Sequence, residues 1–316
     1  MPAQERYQAN LTNPRQPGTG CHGWILSTAN LAVMAGLTGE KAFQDIQLAI
    51  PPGNRRISDR EIQDAICKAL SDHKGGTFTP GPRLKPVVQD GKKALKWIID
   101  QGKISDAADL WEASPVRLWD EPKGDMVLLF ETLYDPTELI WIGERFDDGI
   151  LGKTIRTATN WITYFQNGGK TSPYIILNPL TGTATPTKSG DKTTLRGDGN
   201  VTAYRYCVCE FDTLSREDQI LFWSAVKLPI VALIDSGGKS IHAWFDVQKL
   251  AKVETAEQWQ AEIKLRLYDR ILTPLGVDGA CSNPARLSRL PGHYRSEKGA
   301  YQRLLWLSAG GWTICQ

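Results

Sequence analysis

The chain has 316 residues, 37 Lys+Arg against 35 Asp+Glu and a formal charge of +2; 41% of its residues are hydrophobic and 23% are charged. That balance belongs to a soluble folded protein and excludes a disordered chain, a fibre and a polybasic binder of the histone kind. It leaves nucleic acid open, because a local basic cleft can sit inside a balanced total.

The opening residues, MPAQERYQANLTNPRQ, lack the apolar run of a secretory signal, and no stretch has the roughly 18 apolar residues of a membrane span. A cytoplasmic location without a membrane partner is therefore expected. The six cysteines, at 21, 67, 207, 209, 281 and 315, are then expected as reduced thiols. Cys207-x-Cys209 is too tight for a zinc knuckle and Cys21-His22 lacks a partner pair, so structural zinc is not expected.

Residues 1–20, with Pro14, Pro17, Gly18 and Gly20, read as a loose arm. Residues 24–113 read as helical. Thr38 can cap a helix that runs through Ile50 and is ended by Pro51-Pro52-Gly53. Ser58-x-x-Glu61 is a capping box with Ile62, Ile66 and Leu70 at helical spacing behind it. Asp90 and Ser105 can cap two more helices, around Trp97-Ile98-Ile99 and Leu110-Trp111. Trp24, Trp97 and Trp161 fit apolar helix faces.

After about Pro115 strand-like and helix-like segments alternate, as in an α/β or α+β domain. Strands are expected over Leu139–Ile142, Tyr174–Leu177, Ala203–Phe211, Pro229–Ile234, Ser240–Val247 and Gln302–Leu307. Helices are expected over Thr154–Phe165, Ser215–Val226 and Thr255–Leu272, the last two opened by capping boxes. The polar stretch from Pro179 to Asn200 reads as a long loop, either functional or disordered. It has few apolar residues to offset the entropy of ordering, so it is expected to be mobile without substrate.

Three segments could carry chemistry. In Tyr206-Cys207-Val208-Cys209-Glu210-Phe211-Asp212, alternation points Glu210 and Asp212 one way and Cys207, Cys209 and Phe211 the other, into a core. Two adjacent carboxylates repel unless a cation lies between them, and hard oxygen donors suit Mg²⁺ or Mn²⁺. A solvated strand end explains the same residues.

Asp235-Ser236-Gly237-Gly238-Lys239-Ser240-Ile241-His242 is not a P-loop, since the upstream glycine would fall at Leu233 and the segment leads into a strand. It reads as a hairpin with Ser240 and His242 on one face, a candidate phosphate site. A hairpin with an incidental histidine is the alternative. In Asp278 to Gly292, Arg286 and Arg289 would share one face of a helical turn and could clamp phosphate. The alternative is a surface turn with two solvated arginines.

A carboxylate-x-carboxylate strand, then Ser-x-His opening a later strand, then a further acid resembles the archaeo-eukaryotic primase (AEP) superfamily. The primase-polymerase branch of plasmids, phages and other mobile elements is the most similar. The resemblance covers roughly residues 116–316. It extends to Ile234–Lys239 and to the run Asn283–Gly292. One departure is Glu210, where the family has Asp; Glu still ligates, with a longer reach.

The resemblance implies an α+β fold. Residues 1–115 would form a helical accessory domain that positions template or a partner. Residues 116–316 would form the catalytic core, an RRM-like antiparallel sheet plus a small α/β module over roughly 116–200. It implies Glu210, Asp212 and Asp278 as ligands of a two-metal Mg²⁺ or Mn²⁺ site, and Ser240 and His242 at the phosphates of the incoming nucleotide. Lys239, Arg286 and Arg289 would offset triphosphate charge. Lys188, Lys192 and Arg196 are candidate nucleic-acid contacts.

The implied activity is template-directed nucleotidyl transfer, with single-stranded DNA and nucleoside triphosphates as partners and a helicase domain or subunit as a further one. A non-catalytic replication-initiation or defence-associated DNA-binding module is the alternative. A metal-dependent phosphoesterase is a third reading, which leaves the Ser-x-His hairpin unexplained.

Overall fold

The computed structural model describes residues 2–51, 57–74, 91–187, 190–312 and 314. The chain divides into two compact units, Met1–Val87 and Val88–Gln316. The expected division at about 115 lies further along the chain, because the two short helices between 91 and 112 pack within the second unit.

The first unit holds α1 (Ala3–Leu11), α2 (Cys21–Met34), α3 (Gly39–Ala49) and α4 (Asp59–Lys74). Its core joins Tyr7, Trp24, Ile25, Ile46, Ile62 and Ile66. The start of the chain is therefore not a loose arm. Tyr7 is fully buried on α1 and donates its hydroxyl hydrogen to Asp45 Oδ2 at 2.9 Å. Thr38 and Ser58 cap α3 and α4, each accepting from the backbone N–H three residues on at 3.2 Å. The Glu61 carboxylate pairs with His22 Nδ1 at 3.0 Å.

The helices of the second unit are α5 (Gly91–Asp100), α6 (Ala107–Glu112), α7 (Asp125–Leu133), α8 (Ala158–Gln166), α9 (Arg216–Ala225), α10 (Val247–Leu250) and α11 (Ala256–Gln258), the last continuing into the helix Trp259–Leu272. Asp106, one residue after the expected Ser105, caps α6 by accepting from Asp109 N at 2.8 Å. Asp90 lies outside the described residues. Trp97 is 65% exposed, against expectation. Helix α5 is short and turns Ala94, Leu95, Ile98 and Ile99 to the core, which leaves Trp97 on its outer side.

Two four-stranded antiparallel sheets organise this unit. Its strands are β1 (Leu139–Gly143), β2 (Ile155–Thr157), β3 (Tyr174–Ile176), β4 (Thr185–Pro186), β5 (Thr193–Thr194), β6 (Tyr206–Cys209), β7 (Ile230–Asp235), β8 (Ile241–Asp246), β9 (Leu287–Arg289), β10 (Tyr294–Arg295), β11 (Ala300–Tyr301) and β12 (Arg303–Trp312). The larger sheet runs β12-β7-β8-β6 and the smaller β2-β1-β3-β9. In the larger one, β6–α9–β7 is a split βαβ unit with β8 inserted between its two strands, and β12 adds at the β7 edge. The small module is not confined to 116–200, since its edge strand β9 returns from residues 287–289. The start of the expected helix Thr154–Phe165 is strand β2, and Thr157 caps the helix that follows, accepting from Asn160 N at 3.2 Å.

Both faces of the larger sheet are apolar. On β6, Cys207 and Cys209 join the cluster beneath α9 and the helix Trp259–Leu272, while Tyr206 and Val208 join the cluster shared with the smaller sheet. On β8, Ile241, Ala243 and Phe245 take the first side and Trp244 the second. Each large side chain so buried stabilises the fold by about 1.5–3 kcal/mol relative to exposure. Strand parity then directs Glu210, His242 and Trp244 toward the smaller sheet.

The stretch from Pro179 to Asn200 is not a structureless loop. Strands β4 and β5 pair as a hairpin. Fully buried Asn200 closes its base, donating from Nδ2 to the carbonyls of Thr183 at 2.7 Å and Thr194 at 3.1 Å. A buried amide thus orders the polar segment where apolar burial could not. Lys188 lies outside the described residues.

Candidate functional site

The site lies in the crease between the two sheets. Glu210 follows β6, and its carbonyl accepts from Asp278 N at 3.0 Å, beside the isolated bridge Phe211–Val277. That short pairing brings together two acids far apart in sequence. Asp278 caps the 3₁₀ turn Gly279–Ser282, its Oδ1 accepting from Ala280 N at 2.9 Å. Its Oδ2 lies 3.6 Å from Cys281 Sγ and 3.6 Å from Arg286 Nη2. Cys281 Sγ also donates to Glu210 Oε1 at 3.5 Å.

His242 is 4% exposed, in the middle strand β8. Its Nε2 lies 3.1 Å from Glu210 Oε2, and its Nδ1 lies 3.1 Å from Ser288 Oγ on β9. Trp244 Nε1 donates to the same Oγ at 2.8 Å. Ser288 Oγ thus joins Trp244 Nε1 to His242 Nδ1, and His242 Nε2 meets Glu210. Ser288 therefore ties the smaller sheet to the acid of the larger. Burial alone would raise the Glu210 pKa. The hydrogen bond and charge of His242, then the donors Cys281 and Ser240, bring it down to about 2. Glu210 is thus a fixed anion.

A cleft of about 340 Å³ opens here, lined by Glu210, His242, Asn283, Arg286, Arg289, Arg145 and Tyr174 among others. Arg286 and Arg289 do reach one cleft, but not from a helical turn; Arg289 ends strand β9, opposite Tyr174 of β3. Its guanidinium lies over the Tyr174 ring at 4.6 Å. The loop that precedes Arg286 is anchored by Asp198, whose Oδ1 accepts from Asn283 Nδ2 at 2.8 Å and Ala285 N at 3.2 Å. A larger hollow of about 490 Å³, beside Leu151, Arg156 and Tyr164, has no acidic side chain in its lining.

The hairpin Asp235–Ile241 forms as the sequence indicates. Gly237 takes φ +67°, and a Cβ there would lie 3.1 Å from the Tyr301 carbonyl, so the turn needs glycine. Asp235 Oδ1 accepts from Gly237 N at 2.9 Å and the same carboxylate pairs with Arg216. Ser240 Oγ donates to Ser236 Oγ at 3.3 Å. Lys239 is exposed on the turn and does not line the cleft.

Among the described residues, one group of donors could hold a metal ion: Glu210, Asp278 and Cys281, whose ligand atoms all lie within 4.8 Å of one another. Two carboxylates, one of them held anionic, fit a divalent cation. Asp212 is exposed and stands outside that group. Of the basic candidates beyond the cleft, Lys192 is exposed. Arg196 is engaged within the protein, 4.6 Å over the Trp141 ring and donating to the Arg145 carbonyl at 3.0 Å.

Sequence reasoning did not single out Cys281, Ser288, Arg145, Tyr174 or Asn283. The spacing Asp278-x-x-Cys281 was the one available signal, because side chains three apart eclipse on a 3₁₀ turn. Among the described residues no helix is long and apolar enough to cross a membrane.

No family model matches this chain, and no curated protein matches it. Among solved structures it is similar to the AEP domain of the primase-polymerase of cyanophage S-2L, at 19% identity over 61% of this chain and 94% of that one, with a TM-score of 0.36. A superposition that loose gives the site no assignment, and the reading of its chemistry rests on the geometry of the crease.

Proposed function

We propose that this chain is a DNA primase-polymerase that starts and extends chains from nucleoside triphosphates on single-stranded DNA by metal-dependent nucleotidyl transfer. The observation that carries the reading is the meeting of opposite charges at one cleft. Glu210 lines it together with Arg145, Arg286 and Arg289, and Asp278 adjoins Glu210, 3.6 Å from Arg286 Nη2. A triphosphate with its cation needs both.

Glu210 and Asp278, joined by Asp212, would hold Mg²⁺ or Mn²⁺. Bound cations would supply charge neutralisation at the attacking and leaving oxygens. His242 would fix the orientation and charge of Glu210 instead of meeting phosphate directly, since its Nε2 is already taken by that carboxylate. Arg289, stacked on Tyr174, presents a pre-oriented fork suited to phosphate oxygens, and Arg286 offers a second donor group at the mouth. Ser240 and Lys239, on the adjoining turn, would meet the outer phosphates. Lys188 and Lys192 on the β4–β5 hairpin, with Arg196 as a supporting residue, would contact template. A helicase domain or subunit is the partner such an activity calls for.

The exposure of Asp212 favours a second reading, a DNA-binding module whose site lacks its third acid. Incubation with single-stranded DNA, labelled nucleotides and Mn²⁺ or Mg²⁺ separates the two. A ladder of products supports the enzyme, while DNA bound but never extended supports the module.

A further inference from the structure

Cys281 is a buried thiol beside two carboxylates. It is 1% exposed, yet its Sγ lies 3.5 Å from Glu210 Oε1 and 3.6 Å from Asp278 Oδ2. It belongs to the apolar core cluster that holds Leu275 and Val277, yet its sulfur meets two carboxylate oxygens. The position is built. Asp278 caps the turn through Ala280 N, Cys281 N donates to the Asp278 carbonyl at 3.2 Å, and the 3₁₀ geometry eclipses the two side chains. The spacing also has a chemical meaning. A tetrahedral ion with bonds of about 2.1 Å to oxygen and about 2.3 Å to sulfur holds those donors roughly 3.6 Å apart. Both sulfur–oxygen distances match that edge, and the three donor atoms converge within 4.8 Å.

We propose that Cys281 is a third ligand of the cation held by Glu210 and Asp278, and that it sets the metal preference of the site. The inference rests on the reading of those two carboxylates as metal ligands. Without metal the thiol donates its hydrogen to the carboxylates; with metal that proton passes to solvent and the sulfur coordinates. A sulfur donor favours Zn²⁺, Co²⁺ and Cd²⁺ over Mg²⁺, which a set of three carboxylates would not do. It also gives the site a third donor while Asp212 remains exposed.

The test uses the full chain, freed of metal by a chelator, and titrated with Co²⁺. The wild type should develop the near-ultraviolet thiolate-to-cobalt charge-transfer band with one ion bound. Cys281→Ser should bind Co²⁺ at least ~10-fold more weakly and without that band. Its Mn²⁺ affinity, read by paramagnetic resonance, should change less than that for Co²⁺. The wild-type spectrum decides the question even if the variant fails to fold. Co²⁺ bound without the band, or a band that survives in Cys281→Ser, overturns the ligand assignment alone, provided Glu210→Gln still abolishes Mn²⁺ binding. If neither Co²⁺ nor Mn²⁺ binds the wild type, the metal site falls, and the proposed function falls with it.

Discussion

Two shielded carboxylates of the second unit, Glu210 in the crease and Asp125 at the junction of α7 with β12, are tuned in opposite directions. Asp125 is completely buried. Its Oδ2 accepts from Arg303 Nε at 2.8 Å and Leu304 N at 2.9 Å, but its Oδ1 has no partner. Burial therefore outweighs the arginine and raises its pKa to about 6. Glu210 has donors on both oxygens and a side chain 17% exposed to the cleft, and its pKa falls to about 2. In this pair the acid with donors on both oxygens and some access to the cleft is the one whose pKa falls. Asp125 holds a helix to a strand, whereas Glu210 is held ready for something positive.

The sharpest way to break this contrast is substitution at the crease. Glu210→Gln should reduce nucleotide incorporation by roughly 10³-fold, the scale seen when a positioned charge in an active site is removed. Product ladders measure this, and incorporation near the wild-type rate would remove Glu210 from the chemistry.

Asp212→Ala tests whether the exposed acid joins the site. Under the two-metal reading synthesis is lost by at least ~100-fold. Thermal unfolding in EDTA should hold or rise, because an exposed carboxylate supports little of the fold. Near-normal synthesis would leave one cation, held by Glu210 and Asp278.

His242→Ala should cut kcat by about 10–100-fold through the loss of an orienting partner, with DNA affinity unchanged. It also strands Ser288 and Glu210, so stability should fall by about 1–3 kcal/mol. A stability loss with full kcat would make His242 a packing residue only.

Arg289→Lys keeps the charge but loses the planar stack on Tyr174. Nucleotide KM should rise by roughly 10-fold, and kcat should change less. An unchanged KM would place the phosphates elsewhere.

The smallest effect contrasts the two carboxylates by pH. The folded pKa of Asp125, about 6, exceeds its ordinary value of 3.8. The native state then binds this proton more tightly than the unfolded chain, so the stability linked to it is greatest below about pH 4 and is lost as pH rises through 6. The loss is on the order of 2–3 kcal/mol. For Glu210, lowered from 4.5 to about 2, the sign reverses, and its contribution disappears as pH falls through that window. Denaturant unfolding of Asp125→Asn against wild type, from pH 4 to 7 in EDTA, should show the Asp125 slope removed. Parallel curves would refute the shift.

Much of the larger sheet was legible in the sequence. Period-two alternation in Cys207–Cys209 and Ile241–Phe245, the caps at Ser215 and Thr255 and the Gly-rich turn at Gly237 are local signals, and local physics reads them. Trp97 and the polar stretch around Asn200 misled because their fate depends on what packs beside them. An apolar residue faces the core only where a partner covers it, and a polar segment is ordered when a buried amide finds its carbonyls.

The sequence by itself supplied the candidate residues: Glu210, Ser240 and His242 on or beside the expected strands and Asp278 in a turn, whereas Arg289 lies on strand β9 and not on the expected helical turn. Only the tertiary structure decided which of them meet. The pairing of Phe211 with Val277 brought Glu210 to Asp278, and strand β9, returning to the smaller sheet, carried Ser288 to His242 and Arg289 to the cleft. The same fold put Cys281 between the acids and left Asp212 outside. Contacts between residues distant in the chain arise from sheet register and core packing, and no local periodicity encodes them.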